Sequence, residues 1–325
     1  MTPSYLLGDP ALLDDRFPLP LDAPFSTAQA ARAGVDKHQL SRLTALCLLR
    51  RPVKGAYVAA QVPDTRHVRG KVVSLVAPPG SVLADWSANW FWTGLDKPGS
   101  HLEVPRLTVL RFRGHERLRH GLVESGQRWF KPSDVVPIDD NISVSTPIRT
   151  AWDLGRWSHR IIAIGGMDAL ARQGSFTVEE LVEGVERFRR QRGVVQLRRL
   201  APLVDARAES MGESALRLRW LEAPGMPPPE PQIPILDAAG REIFRIDLGV
   251  EELRFGAEYD GEMHHSSPED RAHDERRRGQ LEELHSWQIE VFRRENVYGQ
   301  SEDATHRLPS ALRLARQRLA LGLPA

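Results

Sequence analysis

The spacing of apolar and polar positions changes period several times along the chain, and each change marks an element. From Phe25, Ser26 or Thr27 can cap a short alanine-rich helix, and Gly34 suits a left-handed stop. Asp36 then caps a second helix running through Leu46. Leu48 and Leu49, followed by Val53, Tyr57 and Val58, flank the turn-like Lys54-Gly55, as in a small β-wing. Residues 70–98 predict a helix, a Pro-Gly turn and a second helix. The second helix sets Trp86, Trp90, Phe91 and Trp92 at helical spacing beside Val82, Leu83 and Leu95, a pattern of core packing rather than base stacking. Alternation at 107–112 and 133–138 predicts a small antiparallel sheet. Ser145-Thr146-Pro147 opens another helix, with Ile148, Ala151, Trp152 and Leu154 on its apolar side. Residues 161–204 read as helical, their arginines forming a solvated face.

A Pro-rich stretch, PGMPPPEPQIP, joins a helix after position 206 to a set of strands. On that helix Glu213 shares a face with Leu216 and Trp220, so its carboxylate points toward the protein. Residues 242–250 read as a strand containing Asp247, and 253–260 as a second strand ending in Glu258 and Asp260, with Gly261 closing it. A Ser/Pro helix start with Arg271, Arg276, Arg277 and Arg278 follows, then a strand at 288–293 and a closing helix after Ser301. The pattern predicts an α+β multi-domain chain. Its parts are an irregular, proline-punctuated lead-in (1–24), a winged helix-turn-helix (25–69), a small α/β middle region (70–205) and a C-terminal α/β domain (206–325).

Composition sharpens this picture. The 325 residues carry 44 basic and 43 acidic side chains, a formal charge of +1. That balance hides two opposite parts: residues 1–205 hold 28 basic and 21 acidic groups, and 206–325 hold 16 and 22. One part suits phosphate and the other suits cations. Only five basic residues are lysine, and none follows Lys131. The single cysteine, Cys47, excludes an intramolecular disulfide framework and a multi-cysteine zinc site, and it reads as packed rather than nucleophilic. The expected setting is reducing and cytoplasmic, because the first residues lack a signal-peptide pattern and no run of about 18 apolar residues occurs. Neither a Gly-x-Ser-x-Gly elbow nor a Gly-rich phosphate loop is present, so no nucleotide cofactor is expected.

Two constellations carry candidate chemistry. On the second helix, Lys37, His38, Gln39, Ser41 and Arg42 would face a DNA major groove, with Arg50, Arg51 and Lys54 near phosphates. A protein-binding or packing module is the alternative. In the C-terminal part, adjacent strands bring Asp247 and Glu258 to one end, with Asp260 two residues on, forming a site for magnesium or manganese rather than zinc. Such a metal orients a water and neutralises phosphate charge. His264 would move a proton, while His265, His273 and His285 read as surface residues.

The run Arg245-Ile-Asp247-Leu, then Ala257-Glu258-Tyr-Asp260-Gly261-Glu-Met-His264, then an Arg-rich helix and Trp287-Gln-Ile-Glu-Val-Phe-Arg293, resembles the Vsr-like endonuclease domains of the PD-(D/E)XK superfamily. Residues 25–60, with Gly80-Ser-Val-Leu, Ser87-Ala, Trp90 and Ser145-Thr-Pro-Ile-Arg-Thr150, resemble the AbiEi-type antitoxin or transcriptional-regulator module. The resemblances imply a restriction-endonuclease-like α/β/α fold with Asp247 and Glu258 as metal ligands, Glu213 as the helix carboxylate and His264 as the histidine. The implied activity is metal-dependent hydrolysis of double-stranded DNA. The alternative is a non-catalytic repressor with an inactive nuclease fold, acting with a toxin partner or as a homodimer. The superfamily's lysine position, two after the second acid, is Asp260 here, and Vsr-like relatives use histidine instead.

Overall fold

The structure is a computed structural model and describes residues 12–98, 105–111, 122–125, 128–237, 239–261 and 286–321. It is a mixed α+β protein with three sheets among the described residues, divided into two compact units, Met1–Asp153 and Leu154–Ala325. The boundaries expected at 69/70 and 205/206 therefore both fall inside a unit. One continuous apolar cluster runs from Leu13 through Tyr57 and Phe91 to Val144, which ties the lead-in and the segments on either side of position 70 into one core.

In the first unit a short strand that the sequence pattern did not predict, β1 (Phe25–Ser26), comes first, and α1 (Thr27–Arg32), α2 (Lys37–Ala45), β2 (Leu49–Val53) and β3 (Ala56–Ala59) then follow the expected order. Ser26 and Asp36 cap the two helices, each in a capping box with the glutamine three residues on, Gln29 and Gln39. Gly34 (φ +80°) stops α1, and Gly55 (φ +97°) turns β2 into β3. The strands pair in the order β1-β3-β2. Cys47 departs from expectation: it is exposed and left-handed (φ 56°) in the turn leaving α2, so the chain can reverse there with Leu48 inside instead.

Next come α3 (Arg66–Val76), β4 (Ser81–Leu83), α4 (Asp85–Thr93), β5 (Leu107–Arg111), β6 (Val123–Ser125), β7 (Val135–Pro137), β8 (Ile142–Ser145) and α5 (Pro147–Trp157), whose last residues, from Leu154, belong to the second unit. Trp90 and Phe91 are buried, as core packing requires. The sheet is mixed rather than purely antiparallel, because β4 pairs with β8 and β5 with β6 in parallel, giving the order β6-β5-β4-β8-β7. The strand β4 replaces the expected helical start after the Pro-Gly turn; its three residues are too short to show a period. Arg149 is buried between Asp134 (2.6 Å) and Asp153 (2.9 Å) and stacks on Phe130. Removing one partner from such a set costs about 3–5 kcal/mol.

The second unit contains α6 (Arg160–Ala171), α7 (Val178–Glu183), α8 (Val194–Leu200), α9 (Met211–Glu222), β9 (Glu230–Leu236), β10 (Glu242–Val250), β11 (Phe255–Tyr259), β12 (Gln288–Phe292), α10 (Arg294–Val297) and α11 (Ala304–Leu321). Its sheet runs β12-β11-β10-β9, antiparallel except for the parallel pair β11 and β12. The helices before 206 belong here because α6 packs along α9. Buried Arg217 of α9 bonds Asp168 of α6 (2.8 Å) and the Leu203 carbonyl (2.6 Å), and burial raises the Asp168 carboxyl while Arg217 opposes that shift. Trp220 and Leu216 are fully buried, each contributing about 1.5–3 kcal/mol. Pro231 and Pro234 sit in β9, which is an edge strand among the described residues, the place a sheet tolerates them.

Candidate functional site

The carboxylate site is built where α9 begins beside the sheet. Ser210 caps α9 and accepts the amide of Glu213 (3.1 Å), so Glu213 stands in the first turn, where the helix dipole favours negative charge. One oxygen of Glu213, Oε2, accepts two donors: the Glu209 amide (2.9 Å) and Nε2 of Gln232 (2.7 Å). Asp247 lies on β10, and its Oδ2 accepts the Tyr259 amide (2.8 Å). The ladder of β10 and β11 ends at the pair Leu248 and Ala257, and its register sets Glu258 across from Asp247 one step beyond. On the other side, Pro231 pairs with Leu248 and Ile233 with Ile246, which sets Gln232 opposite Asp247. Gln232, Asp247 and Glu258 thus form one row across three strands.

Electrostatics tie the carboxylates together. Burial, then the charges of Glu213 and Glu258, push Asp247 up to about 8, with the Tyr259 amide acting the other way. The nearby Arg245 offers no relief, since it is engaged by Glu209 (2.7 Å) and Glu242 (2.9 Å). A half-buried acid beside two other carboxylates is stabilised by a proton or by a cation, and carboxylate oxygens suit a hard divalent ion. Among the described residues no group of three or more carboxylate, imidazole or thiol side chains is arranged to hold a metal ion. Asp247 and Glu258 could serve as a two-carboxylate holder of the kind magnesium uses, with water and phosphate completing the shell.

Asp260 lies just beyond β11, where its amide continues the ladder to the Phe292 carbonyl and its side chain pairs with Arg293 (3.1 Å). His264, the other histidines near it and the expected Arg-rich helix lie outside the described residues. Tyr259 fills the space above Gly212, where a β-carbon would overlap its ring. Tyr298 donates its hydroxyl to the Met211 carbonyl (3.0 Å), and burial pushes its phenol above the ordinary value.

Sequence reasoning missed Gln232. It has φ +58° in the middle of a strand, a left-handed conformation that costs a non-glycine residue about 1–3 kcal/mol. The ladder has no register shift there; the irregularity in this pair lies between Glu242 and Phe244. Only its place between two prolines, in Pro231-Gln232-Ile233-Pro234, marks it in the sequence.

The second candidate surface belongs to the first unit. Lys37, His38, Ser41 and Arg42 are exposed on α2, while Gln39 is partly spent, its Oε1 accepting the Asp36 amide (2.8 Å). A concavity of about 460 Å³ is lined by Lys37, Ser41 and Thr44 of α2, with Thr27, Arg51 and Tyr57. Arg51 stacks on Tyr57 (5.3 Å) and Arg50 turns to the Val62 carbonyl, while Lys54 is half-buried with its amide on the Pro105 carbonyl (2.9 Å). A larger cavity, about 700 Å³, lies between α3 and Pro137–Asp139, and none of the expected site residues lines it. Among the described residues, no helix is long and apolar enough to cross a membrane.

No protein-family model matches the chain. It is similar to two uncharacterized proteins of Mycobacterium tuberculosis, MT2308 of strain CDC 1551 / Oshkosh and Rv2248 of strain ATCC 25618 / H37Rv. Each is 35% identical over 145 residues, which is 45% of this chain and 52% of the relative. The chain therefore spans about half the length of the curated relatives it matches.

Proposed function

We propose that the protein acts on double-stranded DNA. In this reading the second unit is an endonuclease domain similar to the Vsr-like members of the PD-(D/E)XK superfamily, and residues 25–60 are a winged helix-turn-helix of the AbiEi type. One observation carries it: α9, three antiparallel strands and a fourth strand parallel to the third bring together an electrostatically coupled set, Glu213, Asp247 and Glu258. Asp247 and Glu258 would hold Mg²⁺ or Mn²⁺, which when bound supplies charge neutralisation at the phosphate. The chain's own part is to orient and ionise. The Tyr259 amide fixes one Asp247 oxygen, the capped start of α9 fixes Glu213, and Asp247 must shed its proton before a cation can take its place.

The exposed face of α2 supports duplex contact, because Lys37, His38, Ser41 and Arg42 stand free for a groove about 12 Å wide. The repressor reading, with an inactive nuclease fold and a toxin partner or second copy, is favoured by one feature: Asp260 occupies the lysine position and pairs with Arg293.

The deciding experiment incubates the full chain with supercoiled plasmid and Mg²⁺ or Mn²⁺, beside the Asp247→Ala and Glu258→Ala double variant. Nicking by the wild type, lost by a factor of at least about 100 in the double variant, is expected. Equal nicking by both would sink the site. Wild type that binds its own promoter without nicking any DNA would transfer the case to the repressor.

A further inference from the structure

The cavity of about 700 Å³ beside α3 is lined by none of the residues of the two sites above, and its lining is sorted by chemistry. Two adjacent rows of α3 at helical spacing, Arg66-Gly70-Ser74 and His67-Lys71-Leu75, form one wall, and Pro137–Asp139 form the other. Buried Phe91 also lines it, its ring edge-to-face with Trp92. The volume is that of a small-molecule site, and an apolar interior with a few placed polar groups is the usual make-up of one.

Gly70 keeps that space open. A glycine inside a helix is less stable there than alanine, so a steric reason for it is expected. None is found in the packing: a β-carbon at Gly70 would meet, among the described residues, only Ile138 Cγ2 at 3.5 Å and Phe91 Cε2 at 3.8 Å, ordinary van der Waals distances. Its φ is not left-handed either. A side chain at this position would simply occupy the cavity.

The charges of the lining favour an anion. His67 and Lys71, one helical turn apart, are exposed and form no ion pair among the described residues. The Arg66 guanidinium stacks on Trp92 (5.0 Å), whose indole in turn donates to the Ser145 carbonyl (2.8 Å), so this cation is held in place. The one carboxylate of the lining, Asp139, is committed: one oxygen accepts the amides of Asn141 and Ile142 (2.8 Å each) and the other accepts the Ser74 hydroxyl. It braces the two walls and leaves Arg66 and Lys71 in excess.

We propose that this cavity binds a small organic carboxylate with an apolar body. Its head sits at Lys71, His67 and Arg66, and its ring or chain lies against Phe91, Ile138 and Leu75. The proposal is independent of the reading of the protein as one that acts on DNA.

The test titrates the full chain with 2-naphthoate by calorimetry, beside 2-naphthalenemethanol as the uncharged body and acetate as the bare head. Saturable binding of naphthoate is expected, with the alcohol weaker by about 10-fold, the weight of a charge-assisted hydrogen bond, and acetate giving no heat. Gly70→Leu fills the cavity and should abolish binding while the melting temperature holds or rises, since leucine is the better helix former. Lys71→Gln, at an exposed position, should keep the fold and weaken naphthoate by about 5- to 10-fold without weakening the alcohol; it decides the matter should Gly70→Leu fail to fold. Naphthoate that does not saturate the wild type below about 1 mM would overturn the proposal. So would equal affinity for the acid and the alcohol, or binding that survives unchanged in a folded Gly70→Leu or in Lys71→Gln.

Discussion

Asp247 is the residue on which protonation and folding meet. Its carboxyl is raised from 3.8 to about 8, so the folded chain binds a proton that the unfolded chain releases between those values. With more protons on the folded state, stability falls as pH rises from about 4 to about 8. Asp247→Asn removes that dependence while keeping the shape. In metal-free buffer, the melting temperature of wild type relative to Asp247→Asn should therefore drop steadily across this window, and a constant difference would refute the coupling. Added Mn²⁺ should restore wild type at high pH and leave the variant unmoved. The sequence made Glu213, Asp247 and Glu258 legible because acids at a capped helix start and along neighbouring strands form a recognisable order. Gln232 stayed hidden because neither its φ nor its position opposite Asp247 is written in local composition.

At the level of elements, what could be read followed capping and turn chemistry. Ser26, Gly34, Asp36 and Gly55 each fix a backbone conformation locally, and α1, α2 and the β2–β3 hairpin formed where those residues required. The strand β4 escaped, since three residues gain their identity only by pairing with β5 and β8. The exposed face of α2 invites a separate prediction. Lys37→Ala with Arg42→Ala should weaken duplex binding and lower the salt slope by about two, with no change in melting temperature. Arg50→Ala is expected to act differently, reducing stability, because its guanidinium is bonded to the Val62 carbonyl. An unaltered affinity in the first variant, measured by fluorescence anisotropy across a salt series, would argue against α2 as the contact helix.

For the whole molecule, the two compact units redraw the charge map. Residues 1–153 carry 19 basic and 15 acidic groups, and 154–325 carry 25 and 28, so the contrast narrows to +4 and −3. The arginines between 156 and 199 belong to the same unit as the carboxylates, a grouping that composition alone misplaced. Each unit has its own buried cluster. Leu43→Ala in the first and Ile246→Ala in the second should each destabilise the unit that holds it by about 2–5 kcal/mol, read by denaturant unfolding; a loss under about 1 kcal/mol would contradict its place in that core. The prolines of β9 have a consequence for a crowded solution. An open sheet margin is a template for another chain, and a margin broken by residues without amide hydrogens is a poor one. Replacing Pro231 and Pro234 would expose that rim to strand addition from neighbouring copies, so the same short segment that seats Gln232 also guards the protein against polymerising.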